Sequence, residues 1–374
     1  MQIPTNDNSW LKASNWQEVL ENPDRLPEDI RHYLEIQNRR TEEWLGGTKS
    51  RKWIIDELKA TIKDRDDSVP ISDGVFSYWQ RFVEGAEHPD FLRQHQSEKS
   101  EVLLSGDMRA TNHPYYDIGA ADHSPDHRFF AVTEDWQGSE RYTLTIFQAG
   151  TQEQLEDSLS DCRGDFEWST DSTKILYTRL DENQRPSSVW CHDIGSIQND
   201  DQLVFDLEHP GRFIGLGKTS SEKWITIDIH DHQTNQSFLL DATLADLTPL
   251  PVTDWIEGLE YEVEEFNSYL IIRGNHDHED FALYRAPTPN ISRPSNPDSW
   301  TLLWVPTEGS VFSDYEVLKN HWIIEYSEEG CGRYLIAEPD PVTFRVRQEL
   351  DLQTSIHDAH LDPLPGFDRE TIRM

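Results

Sequence analysis

One phrase recurs along this chain and constrains its fold more than any other feature. It is clearest between residues 166 and 194, FEWSTDSTKILYTRLDENQRPSSVWCHDI. A turn at Trp168, Ser169 and Asp171 leads into a strand from Ile175 to Arg179. A polar loop from Asp181 to Pro186 then reverses the chain into a second strand, Ser188 to Asp193. Ser and Asp suit the turn because their side chains bond back to nearby backbone N–H groups. The branched and aromatic residues that follow suit a pleated, half-buried surface. The phrase returns at Ser124-Pro125-Asp126, at Ser221-Glu222-Lys223, at Asn267-Ser268 and at Lys319-Asn320. The first apolar residues of the leading strands fall at 129, 175, 224, 270 and 322, in steps of 46, 49, 46 and 52. An earlier hairpin pairs Val75 to Phe82 with Phe91 to Gln94.

A period of about 40–50 residues with several strands per repeat is the mark of a β-propeller. Each small sheet cannot bury both faces alone, and stacking around an axis buries them. A β-sandwich or solenoid also gives regular strands, but sandwich strands recur at about 8–12 residues without the longer period. The chain therefore reads as mainly β, a seven-bladed propeller with two or three α-helices before it. Blades are expected at about 69–104, 115–159, 164–207, 213–251, 258–306 and 311–350. A seventh starts near Ile356 and is incomplete when the sequence stops at Met374. Residues 1–67 form the helical lead-in and residues 68–374 the propeller. Within the lead-in, Pro27-Glu28-Asp29 opens a helix and Gly46-Gly47 closes it. Ile54, Leu58 and Ile62 mark the next helix at i, i+4 and i+8. These helices read as a packing cap on the propeller.

Charge decides which partners are excluded. The 374 residues carry 70 acidic and 33 basic side chains, a formal net charge of −37. Phosphate contact needs clustered Lys and Arg, so no nucleic acid is expected. The acidity runs along the whole chain, as a self-repelling surface or as a field that draws in basic peptides. Cys162, Cys191 and Cys331 are odd in number and form no CxxC pair, which points to a reducing compartment. No apolar run approaches the ~18 residues of a membrane span. MQIPTNDNSW lacks the basic and apolar parts of a signal peptide. The expected location is cytoplasmic.

Several longer stretches resemble a known family. The lead-in reads SWLKASNWQEVL, DIRHYLEIQNRRTEEWL and IIDELKATIKDRDDSVPISDG. YYDIGAADHSPDHRFFAVTEDWQGSERYTL, VFDLEHPGRFIGLGKTSSEKW, EGLEYEVEEFNSYLIIRGN and GFDRETIRM follow. In this order they resemble the N-terminal part of the prolyl oligopeptidase family, in its oligopeptidase B branch. The resemblance implies a seven-bladed propeller preceded by helices and lying over a separate α/β-hydrolase domain that carries Ser, Asp and His. It implies that the propeller admits only short peptides, and that the parent enzyme cleaves after Arg or Lys. It also implies charged contacts between propeller and hydrolase, for which Glu134, Glu140 and Arg141 are the candidates. Ordinary solvated hairpin charge is the other reading of those three. The sequence departs from the family in holding no hydrolase domain and in starting short of the usual N-terminal arm.

The residues themselves offer no catalytic set. The strained G-x-S-x-G turn that presents a hydrolase nucleophile does not occur. Gly138-Ser139 and Gly309-Ser310 lack the second Gly. Gly215-Leu216-Gly217-Lys218 is too short for a phosphate loop and precedes a strand. Asp228, His230, Asp231 and His232, and again His276, Asp277, His278 and Asp280, have ligand chemistry for a transition metal. Both groups follow a strand and read as polar loops, and His123 and His127 read as exposed residues flanking a turn. No catalytic, cofactor or metal residue is assigned. The expected function is the non-catalytic, substrate-gating propeller of a serine oligopeptidase, its partners a hydrolase domain and short basic peptides. A stand-alone propeller acting as a binding scaffold is the alternative. A propeller glycoside hydrolase with two axial carboxylates is a third possibility.

Overall fold

A computed structural model describes residues 8–63, 65–288, 294–350, 352 and 359–374. Three helices come first: α1 (Trp16–Glu21), α2 (Glu28–Leu45) and α3 (Lys49–Ala60). Glu28 and Asp29 occupy the first turn of α2, where the helix dipole favours acids. Gly46 caps its far end and Thr48 caps α3, accepting from the Arg51 N–H at 3.2 Å. α1 touches blade three, where Gln17 donates to the Glu182 carbonyl at 2.8 Å, but α2 and α3 do not pack as the expected cap. Ile30 is the only buried residue of α2, and α3 has none. Trp44 is 81% exposed and Trp53 62%, with Ile54, Leu58 and Ile62 open beside them. The apolar spacing is helical but faces solvent.

The strands follow as sheets of four to seven. β1 (Asp66–Asp67) and β2 (Ile71–Asp73) share one edge of β3 (Phe76–Phe82), which pairs with β4 (Asp90–His95) and then β5 (Glu101–Ser105). A short helix, α4 (Gly106–Ala110), leads to the second blade: β6 (Asp117–His123), β7 (Phe129–Asp135), β8 (Tyr142–Gln148) and β9 (Glu153–Trp168). The third adds β10 (Lys174–Leu180), β11 (Pro186–Asp193) and β12 (Gln202–Asp206). Blade four is β13 (Phe213–Lys218), β14 (Trp224–His230), β15 (Asn235–Asp241) and β16 (Leu250–Pro251). Blade five is β17 (Tyr261–Phe266), β18 (Tyr269–Gly274), β19 (Ala282–Pro287) and β20 (Thr301–Trp304). Blade six is β21 (Ser310–Val317), β22 (Trp322–Glu328), β23 (Cys331–Ala337) and β24 (Val346–Leu350). All pairings are antiparallel meanders.

The boundary expected between residues 159 and 164 is not a break. β9 runs straight through it. Leu144 pairs with Leu159 on the blade-two side, and Ile175 with Trp168 on the blade-three side. Gly164, at φ +133°, lies within this strand, a backbone angle that L side chains rarely adopt. The strand thereby changes partner without ending, and blades two and three share one seven-stranded sheet.

The turn has the same construction in three of the five repeats. Ser124 Oγ reaches Asp126 at 2.7 Å and accepts the Phe129 N–H at 3.0 Å; Ser169 does the same with Asp171 and Lys174 at 2.8 and 3.0 Å. Thr219 takes that place before Trp224. His127, Ser172 and Glu222 then sit at φ near +60° in the three turns.

Between successive blades lies one apolar layer each. Phe91, Leu103 and Leu104 meet Phe130, Val132 and Phe147 between blades one and two. Similar layers join two to three, three to four, four to five and five to six. Hence a middle strand such as Tyr269–Gly274 is apolar on both faces, with Leu270 and Ile272 in one layer and Ile271 in the next: its sheet is covered twice. Phe367 extends the layer of blade six, and the Lys319 N–H donates to its carbonyl at 2.9 Å. Asp362 and Arg373 form a lone bridge, and Arg373 reaches the Val69 carbonyl of blade one at 3.5 Å. Residues 359–374 thus fill the seventh position, between blades six and one. The expected start of that blade, Ile356, lies outside the described residues. Among the described residues no helix is long and apolar enough to cross a membrane.

Candidate functional site

The inner edge of each blade faces the axis. Seven segments meet there around a cavity of about 480 Å³: they contribute Asp73, Asp122, Glu167, Lys218, Glu262, Asp314 and, from the last segment, Leu361 and residues 363–366 among its walls. Acids dominate. Glu222, Glu264 and Glu316 complete a set of eight carboxylates, against Lys218 and His123. The local reason is strand alternation. In β17, Tyr261 and Val263 point into the sheet stack while Glu262 and Glu264 lie on the other face. In β21, Asp314 and Glu316 come two residues apart in the same way.

Some of these charges are matched. Lys218 Nζ lies 3.0 Å from Glu167 and donates to the Trp168 carbonyl at 3.0 Å. Arg369, from the seventh position, pairs with Glu316. Arg273 stands 3.5 Å from Glu262. His123 Nε2 meets Asp73 at 2.8 Å. Burial alone would lower the His123 pKa, but Asp122 and Asp73 outweigh it and hold it at about 9.

Other acids are raised by burial, and Glu264 among them makes no ion pair among the described residues. Glu264 accepts the Ser220 N–H at 2.8 Å and its hydroxyl at 3.0 Å. Burial pushes its carboxyl up to about 7, against the pull of those two bonds. Asp314 and Glu262 are raised by burial as well, with Glu325 adding to the first effect and Arg273 opposing the second. A cation entering the channel would relieve this repulsion. These acids were not singled out from the sequence, although the alternation in EGLEYEVEEF carries the signal.

The three residues expected at an interdomain rim do not converge. Glu134 is fully buried in β7. Arg109 of α4 binds both its oxygens at 2.7 Å, Tyr116 donates at 2.7 Å and Thr145 at 2.5 Å. It therefore anchors the link between blades one and two. Glu140 is exposed at the β7–β8 hairpin, and Arg141 bonds Asp161 at 2.5 Å. The loop clusters with metal-like composition do not gather either. Asp228 is spent on Ser237 and Thr226, while His230 stacks on Phe213. His276 lies 3.4 Å from Asp277 among Tyr284 and Trp300. His123 and His127, read as exposed, are half-buried, and with Asp73 they form a group with ligand atoms within 4.8 Å of one another. The hairpin of blade one, which folds Asp73 back against the turn of blade two, is what brings them together.

The family model for the prolyl oligopeptidase N-terminal beta-propeller domain matches residues 9–338. The chain belongs to this family. Protease 2 of Moraxella lacunata is 28% identical over 304 residues, 79% of this chain and 42% of its own length. Dipeptidyl aminopeptidase BI of Pseudoxanthomonas mexicana is 25% identical over 314 residues, 78% of this chain and 42% of its own. Among solved structures, oligopeptidase B from Trypanosoma brucei, closed with covalently bound antipain, superposes with a TM-score of 0.84 at 21% identity. It covers 97% of this chain and 51% of that one. Oligopeptidase B from Leishmania major gives 0.82 at 21%, covering 92% and 50%. The chain spans about half or less of the length of these relatives. The match is to the N-terminal propeller portion of prolyl oligopeptidase family peptidases.

Proposed function

We propose that this chain is the non-catalytic, substrate-gating propeller of a serine-type oligopeptidase, and that its axial channel selects short basic peptides for a hydrolase domain packed against it. The observation that carries the reading is the channel's charge: eight carboxylates line it against Lys218 and His123, and Arg273 and Arg369 reach in to pair only Glu262 and Glu316. Walls of low dielectric focus such a field and draw in cations. The parent enzyme then cleaves after Arg or Lys. The exposed apolar side of α2 and α3, with Trp44 and Trp53, supports a covering partner, since contiguous apolar surface marks interaction sites. In this reading residues 1–67 serve as the docking lead-in and residues 68–374 as the filter. Glu140 and Arg141 contact the hydrolase from the β7–β8 hairpin, whose turn N–H groups donate to Asp135. The buried free thiols of Cys162 and Cys191 support a reducing, cytoplasmic setting.

The test is binding of labelled basic, neutral and acidic peptides of equal length. The basic peptide should bind best, lose affinity as salt rises, and gain affinity between pH 6 and pH 8 as Glu264 ionises. Equal binding of all three, insensitive to salt, would remove the channel's role and leave a scaffold.

A further inference from the structure

We infer that Asp73, His123 and His127 form a binding site for a divalent transition-metal ion of the Zn(II) class, at the seam between blades one and two. Their candidate ligand atoms already lie within 4.8 Å of one another. A tetrahedral zinc with bonds of ~2.1 Å asks for ligand atoms about 3.4 Å apart. Small side-chain rotations close that gap. Two imidazoles and a carboxylate are the donor set that suits zinc, with a fourth position left for water.

The outer partners carry the argument further than proximity does. A metal-bound His commonly gives its second ring nitrogen to an oxygen, which fixes the ring and its tautomer. Both rings have that partner. His127 Nδ1 lies 2.8 Å from the Tyr78 hydroxyl, leaving Nε2 for a metal. His123 Nδ1 lies 3.3 Å from Asp122, leaving Nε2, which now meets Asp73 at 2.8 Å. An ion would take the place of the proton shared in that contact.

The backbone also leaves room. Gly74 sits at φ +55°, and a Cβ there would come within 2.8 Å of His127 Nε2. The two rings lie nearly parallel, 5.3 Å apart and inclined by 14°, and Tyr78 stacks on His123 at 3.8 Å. Arg93, a cation close by, pairs with Glu101 and donates to the His127 carbonyl at 2.5 Å. Asp73 and His123 line the axial cavity and also a second cavity of about 280 Å³, so an ion has a path in. Bound there, it would tie the β2–β3 hairpin to the turn of blade two, beside the seventh position.

The experiment is calorimetric titration of the untagged chain with Zn²⁺, with Co²⁺ absorption as a second readout. One saturable site is expected. Visible bands of low-symmetry Co²⁺ and a raised melting temperature of the wild-type chain should accompany it. His127→Ala and Asp73→Asn should each weaken Zn²⁺ at least about 10-fold, the loss typical even of an outer partner. His230→Ala and His278→Ala should leave it unchanged. The wild-type readings need no variant to fold. Absence of a saturable site or of the Co²⁺ bands in the wild-type chain overturns the site. So does a set of weak sites that His127→Ala and Asp73→Asn leave intact.

Discussion

Replacing Glu264 with Gln should make the protein more stable at alkaline pH. In the fold its carboxyl is raised from 4.5 to about 7, chiefly by burial. The folded state therefore holds a proton that the unfolded state releases between those values. Stability falls with pH wherever the folded state binds more protons. The penalty is absent below pH 4.5 and complete above pH 7. At about 1.4 kcal/mol per unit, the difference amounts to at most about 3 kcal/mol. The carboxamide still accepts the Ser220 N–H and gives up at most one hydrogen bond, worth about 1 kcal/mol. Glu264→Gln should then be about 2 kcal/mol more stable than wild type at pH 8 and up to about 1 kcal/mol less stable at pH 4. Urea unfolding of both proteins across that range gives the difference curve directly. A flat curve would show that Glu264 titrates normally, and that the channel is less desolvated than its geometry implies.

His192 is buried between Asp157 and Asp201, at 2.9 and 2.7 Å. His192→Leu leaves buried Asp157 without its cation and Asp201 with only Arg179 at 3.9 Å, and should cost about 3–5 kcal/mol in urea unfolding. A serine-directed fluorophosphonate should leave the chain unlabelled, and reporter peptides with Arg or Lys should remain intact; stoichiometric labelling of one Ser would overturn the non-catalytic reading. The exposed face of α2 and α3 should drive self-association as salt screens the −37 charge. Sedimentation should show wild type associating at high salt and the double variant Trp44→Glu, Trp53→Glu remaining monomeric.

The ring of blades was legible because its cause is local and repeated. Blades two, three and four share the same Ser- or Thr-based turn, and a short turn precedes the middle strand in blades five and six, so the sequence repeats with them. The shared sheet of blades two and three was not legible. Asp161 and Gly164 in SLSDCRGDFEW look like turn residues, but at φ +60° and +133° they let the strand change partner without ending it. The outward-facing helices were half legible: spacing shows which residues share a face, but not what that face meets. The channel acids lay hidden among 70 others, because strand order around an axis decides which ones converge. For the same reason Asp73 and His123, 50 positions apart, could not be paired, and Glu134 was taken for a surface group before Arg109 was seen to hold it.

The most direct measurement is photo-crosslinking of a short Arg-containing peptide to the chain, with the attachment sites read by mass spectrometry. The account predicts attachment on the channel walls, at residues 262–264, 314–316, 361 and 363–366. The yield should fall with salt and in the double variant Glu264→Gln, Asp314→Asn. Attachment confined to the outer strands or the helices, or a yield matched by a neutral peptide of equal length, would contradict it.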